Sequence, residues 1–423
     1  MELGNFSNLL PGGFTGVDIF FVISGFLISS HLIHEIYIKN DFSFKRFYLK
    51  RIKRILPALL FMILLVMFFG YFVFTKYYFQ SLGEQAIAAT LSYSNIYFYL
   101  TSGYFDLDSN LKPLLHTWSL GVEEQFYLVW PAVLTCILFF KKPRYLIYAF
   151  MVFFALSISL NALYSDDLSA IFYLMPFRIF EFTVGASIAY ISVTKNNHNL
   201  IKNNYLKNIL SFLGLFLIMA PMLYLDEDNI FPYYNALPTI IGSGLLIYNR
   251  STISASILSK GWLVFIGLIS YSLYLYHWPV IVFAKYEFGI TNNIELFFIV
   301  FIFSTILATF SYHVIEKPFR FSRRPQVPKL FLALTTLVIA TSTASSLAFV
   351  GSYNSNKELI SKMLSEANKE RFLLLNNNGC DITEKDKTPV HHGGVLSETA
   401  RVRGAAGLCC RSDGRGHRAI LSV

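Results

Sequence analysis

Ten stretches of apolar sequence, each at or near the length needed to cross a bilayer, punctuate this chain. A hydrocarbon layer about 30 Å thick is spanned by roughly 20 helical residues. Runs of that order occupy residues 14–33, 55–75, 123–140, 145–164, 170–193, 209–225, 236–248, 262–284, 296–315 and 330–350. In lipid the backbone must satisfy its own hydrogen bonds, which makes each run a helix. The expected fold is therefore all-α, a polytopic transmembrane helical bundle with about ten spans. With 54% hydrophobic residues, 14% charged residues and a mean hydropathy of +0.50, the chain has too much apolar surface for one water-soluble core. An eleventh stretch, 81–100, carries Glu84, Gln85 and Asn95 among many Ser and Tyr, and reads as an interfacial or re-entrant helix.

Loop charge orients the spans, because cytoplasmic loops are rich in Lys and Arg. Lys39, Lys45, Arg46, Lys50, Arg51, Lys53 and Arg54 face only Asp41 in one segment, which is read as cytoplasmic. Alternation then places Lys141, Lys142, Arg144, Lys195, Lys202, Lys207, Arg250, Lys260, Lys317, Arg320, Arg323, Arg324 and Lys329 inside. Asp106, Asp108, Asp166, Asp167, Asp226, Glu227 and Asp228 fall outside. The formal charge of +9 is thus a membrane-orientation signal, and the interleaved basic and aromatic patch of a nucleic-acid binder is not found. The same alternation puts the amino terminus and the tail after Val350 outside. An outside amino terminus implies an inward-starting helix upstream of Phe14, yet no apolar run or signal peptide precedes Pro11. From His391 onward the chain holds Arg but no Lys, with many Gly and Ala, and is expected to be a disordered tail of frameshifted or fused origin. No chemistry is read into His391, His392, Cys409 or Cys410. With Cys136 and Cys380, these cysteines form no CxxC pair or His/Cys cluster, so neither a metal site nor a disulfide framework follows.

The stretch PLLHTWSLGVEEQFYLVWP, residues 113–131, places a histidine, two tryptophans and two adjacent glutamates at the mouth of a span. A carboxylate at the edge of hydrocarbon costs several kcal/mol unless paired or hydrated, so it marks a candidate site. A helix starting near Leu115 aligns His116, Ser119, Glu123, Phe126 and Trp130 on one face, with Glu124 beside it. Asp18 lies at the outer end of the first run and needs a partner. Neighbouring Ser24 and Gly25 are accounted for by helix packing. Arg178 and Glu181, three residues apart within 170–193, can pair with each other or serve a substrate. His277-Trp278-Pro279 closes a Tyr-rich run that suits an aromatic belt. Glu316-Lys317-Pro318 is read as a helix terminator. Lys50, Arg51, Lys53 and Arg54 are a topology signal and, alternatively, a cradle for phosphate. Asp106-Leu107-Asp108 is too weak a pattern to argue a metal.

Taken in order, GGFTGVDIFFVISGFLIS, FYLKRIKRILPAL, LLHTWSLGVEEQFYLVWP, ISYSLYLYHWPVIVF and VIEKPFR resemble the acyltransferase 3 family of bacterial inner-membrane proteins. The resemblance implies a membrane domain over residues 1–324, a further transmembrane helix within 325–355, and a periplasmic linker and tail over 356–423. The family's first helix, with its arginine and histidine, and the periplasmic SGNH-type domain of some members are not recognised here. An inactive, truncated form is therefore one expectation. The resemblance further implies transfer of an acyl group from cytoplasmic acyl-CoA, acetyl-CoA above all, to a hydroxyl of an envelope glycan such as lipopolysaccharide O-antigen. Acyl-CoA enters as donor substrate, with no bound cofactor, and the partners are membrane lipid and the glycan.

In that frame His116, Glu123 and Asp18 are the catalytic candidates. Lys50, Arg51, Lys53 and Arg54 are the acyl-CoA-binding candidates. Trp118, Ser119, Glu124, Trp130, Arg178, Glu181 and His277 are the acceptor-binding candidates. A non-enzymatic transporter or flippase would also use Arg178, Glu181 and Asp18, but would not need the basic cluster. No internal repeat of the kind such proteins carry is evident.

Overall fold

The computed structural model describes residues 11–102, 111–139, 142–194, 203–226, 230–249, 253–289, 293–321 and 335–344. Among them every regular element is a helix. In chain order these are α1 (Gly16–Ile33), α2 (Phe44–Val73), α3 (Lys76–Thr90), α4 (Ser94–Thr101), α5 (Thr117–Phe139), α6 (Arg144–Leu163) and α7 (Leu168–Tyr173). There follow α8 (Ile179–Thr194), α9 (Asn204–Tyr224), α10 (Leu237–Tyr248), α11 (Ile253–Leu258), α12 (Gly261–Phe288), α13 (Asn293–Ser311), α14 (Lys317–Phe321) and α15 (Thr335–Ala344). Seven of the described helical stretches are long and apolar enough to cross a membrane. Large exposed apolar side chains such as Phe72, Phe139 and Phe301 stand on the outside, as lipid-facing residues do. The expected acidic pair Asp106/Asp108 and everything after Ala344 lie outside the described residues.

Several boundaries differ from expectation for definable reasons. Helix α2 begins at Phe44, because Ser43 caps it by accepting from the Arg46 amide, so the basic segment is largely helix rather than loop. Its 30 residues span about 45 Å at 1.5 Å per residue, more than the hydrocarbon, and the basic turns extend past the apolar part. The run 170–193 is not one span. It breaks after Tyr173, passes through a 3-10 turn at Met175–Phe177 containing Pro176, and resumes as α8. Freed carbonyls at the break are met by side chains. Asn95 Nδ2 donates to Tyr173 O (3.2 Å), Ser157 Oγ to Pro176 O (2.7 Å), and Asn161 Nδ2 to Phe177 O (2.8 Å). Such satisfaction is the condition for irregular backbone at membrane depth. Pro318 does not end its helix either, since a π turn at Tyr312–Glu316 leads straight into α14.

The centre of the bundle is a close crossing of α1 and α8. A Cβ on Gly25 would stand 2.1 Å from the Phe182 carbonyl oxygen, and one on Gly185 would stand 2.0 Å from that of Val22. Only glycine permits that approach. An aromatic ladder extends from it, with ring centroids 4.7 Å apart for Phe21–Phe182, 4.2 Å for Phe126–Phe182, 4.8 Å for Phe126–Trp130 and 5.6 Å for Trp130–Phe150. It joins α1, α8, α5 and α6.

The stretch 81–100 lies within α3 and α4, neither of which is among the helices long and apolar enough to cross a membrane. Gln85 and Asn95 are buried. Gln85 accepts from the Leu114 amide (3.2 Å), Ser94 donates to Thr117 O (2.7 Å), and Asn95 exchanges hydrogen bonds with Gln125. Together they fix where α5 starts, two residues later than the expected Leu115.

Candidate functional site

The first turns of α2 form most of a cavity of about 640 Å³. Lys50, Arg51, Lys53 and Arg54 all line it, joined by His31 from α1 and by Arg320 and Phe321 from α14. The four cations anticipated for phosphate therefore share one cavity. Arg46 also lines it, but its Nη2 is engaged by Glu35 Oε2 (2.9 Å), Asp41 Oδ2 (3.1 Å) and the Asp41 carbonyl (2.6 Å). Sequence reasoning missed His31 and Arg320. Nothing in VIEKPFR read alone shows that α14 returns beside α2.

Arg51 also faces inward. Its guanidinium lies 5.7 Å from the Phe47 ring centroid and 5.2 Å from that of Tyr127. The Tyr127 hydroxyl donates to Glu123 Oε1, one helical turn away on α5, and Ser24 of α1 donates to the same oxygen. The two hydroxyl oxygens are 3.0 Å apart. Glu124 is within electrostatic reach of both Glu123 and Arg51. Tyr127 was detectable in principle as the i+4 neighbour of Glu123. Ser24 was read as packing alone, and it does neighbour the Gly25 crossing.

A second polar group gathers around Tyr274 of α12. Its hydroxyl is 2.6 Å from Ser119 Oγ and also donates to the His116 carbonyl. His116 and His277 sit edge to face with ring centroids 5.6 Å apart. His277 Nδ1 is 2.6 Å from the Tyr274 carbonyl oxygen, which can only accept, so this nitrogen carries the proton and Nε2 is left as the basic one. Neither ring nitrogen of buried His116 makes a hydrogen bond of good geometry, although the Leu275 carbonyl is close. His116, Ser119 and Glu123 follow one another at three- and four-residue spacing along the start of α5, so the two polar groups are neighbours on one helix face.

Asp18, Arg178 and Glu181 form a third group, sealed at 0% exposure. Arg178 Nη1 is 3.2 Å from Asp18 Oδ1 and 3.1 Å from Glu181 Oε1, while Nε donates to Phe172 O at 3.1 Å. Trp118, Phe172 and Phe231 surround the guanidinium at 5.2, 5.1 and 5.4 Å. The partner Asp18 needed is thus Arg178. Both candidate indoles are buried among side chains. Trp118 meets Arg178 and Phe172, and Trp130 lies between Phe126 and Phe150 with Nε1 donating to Ser29 Oγ (2.8 Å). Among the described residues no three His, Cys, Asp or Glu side chains converge as metal ligands would.

Comparison with known proteins follows the same lines. The acyltransferase domain family (Acyl_transf_3) matches residues 2–313. The O-acetyltransferase OatA of Staphylococcus aureus (strain MRSA252) is 32% identical over 368 residues, covering 82% of this chain and 60% of that protein. The "Putative peptidoglycan O-acetyltransferase YrhL" of Bacillus subtilis (strain 168) is 31% identical over 361 residues, covering 81% of this chain and 57% of that protein. A Haemophilus influenzae protein without an assigned function is 38% identical over 246 residues, 56% of this chain and 98% of its own length. The chain therefore spans about 60% of the length of the O-acetyltransferases it matches. No solved structure matches it. With the family profile covering residues 2–313 and the apolar helices in place, this chain is a multi-pass membrane protein that belongs to the acyltransferase 3 family.

Proposed function

We propose that the chain is the membrane part of an O-acyltransferase that moves an acyl group from cytoplasmic acyl-CoA to a hydroxyl of a cell-envelope glycan. Acetyl is the group in the relatives' names. The observation that carries the reading is Arg51, which lines the basic cavity and also lies over Tyr127, whose hydroxyl holds Glu123. A basic cavity and an acid-bearing group are thereby adjacent within the bundle, which supports the reading. Lys50, Arg51, Lys53 and Arg54, with Arg320, hold the CoA phosphates through charge-assisted hydrogen bonds.

In the transfer the acceptor hydroxyl oxygen attacks the thioester carbonyl carbon. The new C–O bond forms as the C–S bond breaks, the hydroxyl proton passes to a base, and the departing thiolate takes up a proton. His277 Nε2 and His116 are the bases within the group around Tyr274. The hydroxyl of Ser119, turned toward Tyr274 in the structure, swings to donate to the developing oxyanion, and Glu123 and Glu124 bind acceptor hydroxyls. Asp18, Arg178 and Glu181 act as a brace between α1 and α8 rather than as ligands, a reading supported by their complete burial.

The name of the Bacillus relative favours peptidoglycan over O-antigen as the glycan. The protein is proposed to reside in the bacterial cytoplasmic (inner) membrane with the basic cavity inside and the chain after Val350 outside. Membranes carrying the full-length gene product, given labelled acetyl-CoA and acceptor glycan, are expected to transfer label and to lose transfer on Glu123→Gln or Arg51→Ala. Transfer retained in both variants would refute the site. Mass spectrometry of peptidoglycan and O-antigen from cells with and without the gene identifies the acceptor.

A further inference from the structure

We infer that Tyr127, together with Ser24, is a positioning residue that holds Glu123 and ties its placement to occupancy of the basic cavity through Arg51. This rests on reading the cavity as the acyl-CoA site and adds a regulatory link between donor and acceptor sides. Three helices meet at the link. Arg51 comes from α2, Tyr127 and Glu123 from α5, and Ser24 from α1. Both hydroxyls converge on the same carboxyl oxygen, Oε1. Their mutual distance of 3.0 Å closes a small ring of hydrogen-bonding groups around it. Two donors on one oxygen fix the carboxyl plane and leave Oε2 to interact elsewhere. Satisfying a half-buried carboxyl would need no third helix.

Arg51 makes the arrangement responsive. In the structure its guanidinium rests on the Tyr127 and Phe47 rings while its side chain borders the cavity. A phosphate arriving there offers charge-assisted, bidentate bonds that an aromatic face cannot match, so the guanidinium is drawn toward the cavity. Tyr127 then loses the cation over its ring, and the hydroxyl that holds Glu123 is free to shift. Donor binding would in this way let the hydroxyl carry the acid to a new aim, which links chemistry to the presence of donor.

Tyr127→Phe keeps the ring under Arg51 and removes only the hydroxyl. In proteoliposomes of the full-length protein, acetyl-CoA affinity measured by equilibrium binding should stay within about twofold of wild type. The kcat for transfer should fall about tenfold or more, the scale of a lost hydrogen bond to a charged group. Ser24→Ala should act in the same sense, and the double variant should be little worse than either, since both act through one oxygen. Tyr127→Leu, which also removes the ring that holds Arg51 in the free state, should bind CoA at least as tightly as wild type. Infrared carboxyl bands of Glu123, identified by their loss in Glu123→Gln, should move when CoA is added to wild type and not when it is added to Tyr127→Phe. A wild-type protein that binds CoA without moving those bands, or a Tyr127→Phe protein with unchanged kcat, overturns the inference. A wild-type protein that binds no CoA overturns the donor reading, and the coupling with it.

Discussion

Replacing Arg178 by Met should be the most damaging single change in the bundle's polar interior. The side chain is fully buried and its Nη1 serves two carboxylates, Asp18 at 3.2 Å and Glu181 at 3.1 Å. Removing one partner of a buried ion pair costs about 3–5 kcal/mol, because the remaining charge has neither water nor counter-ion. Here two acids are stranded at once. The Phe172 carbonyl also loses its donor at 3.1 Å, adding about 1–3 kcal/mol. A sum of roughly 4–8 kcal/mol rivals the whole stability of a typical domain, about 5–15 kcal/mol. Arg178→Met should therefore yield little folded protein. Asp18→Asn and Glu181→Gln each leave one guanidinium with one carboxylate, a balanced pair, and should be milder. The triple variant, Arg178→Met with Asp18→Asn and Glu181→Gln, removes all three charges and should recover much of the loss, since apolar or neutral replacement of a buried ion group is often tolerated. Thermal unfolding in detergent, followed by fluorescence-detected size exclusion, reads this order directly. Arg178→Met as stable as wild type, or a triple variant no better than the single one, would refute the brace. A stable Arg178→Met lacking transfer would instead return these residues to the acceptor.

Three other perturbations read different parts of the structure. Arg320→Ala, which removes the cavity cation supplied by α14, should raise the acetyl-CoA KM about tenfold and leave kcat nearly unchanged; an unaltered KM would remove Arg320 from the donor site. Gly25→Val and Gly185→Val place a Cβ about 2 Å from a facing carbonyl oxygen, so α1 and α8 must part, at a cost above the 1–3 kcal/mol of ordinary overpacking. Gly267→Ala, with open space at its Cβ, is the neutral control, and equal thermal stability of all three variants would contradict the crossing. Trp130→Phe loses the bond to Ser29 and should cost about 1 kcal/mol of stability with transfer retained. Lost transfer at wild-type stability would put the indole back at the acceptor.

What could and could not be read ahead of the structure follows from where each signal resides. Helix existence is written locally, as apolar content over a bilayer's length, and the runs beginning at Phe14, Ile55, Tyr145, Ile209, Trp262 and Leu296 fall on helical segments to within two residues. The basic run of α2 was visible for the same reason, because Lys50, Arg51, Lys53 and Arg54 are adjacent in sequence. Helix breaks are written elsewhere. The run 170–193 is predominantly apolar, and hydropathy has no access to Ser157, Asn161 and Asn95, whose side chains make the break at Pro176 tolerable. Partners brought from a distance are equally silent. Arg178 and Glu181 are three residues apart and could be paired on paper, whereas Asp18 reaches Arg178 across 160 positions.

Polarity itself is the harder signal. Gln85 and Asn95 marked 81–100 as an interfacial or re-entrant helix rather than a full span, and neither α3 nor α4 is long and apolar enough to cross a membrane. In the structure both side chains are buried, and their hydrogen bonds go to the backbone and side chains that open α5. The position of Asn95 is exacting, since a Cβ on Gly121 would stand 2.8 Å from its Oδ1. A polar residue in a membrane helix therefore carries two meanings that sequence alone does not separate, contact with water or support of another chain segment. Here the second applies, and it matters for the site. His116 immediately precedes α5, and Ser119 and Glu123 occupy its first two turns, so the direction in which they project depends on the α3–α4 brace as well as on the motif that drew attention to them.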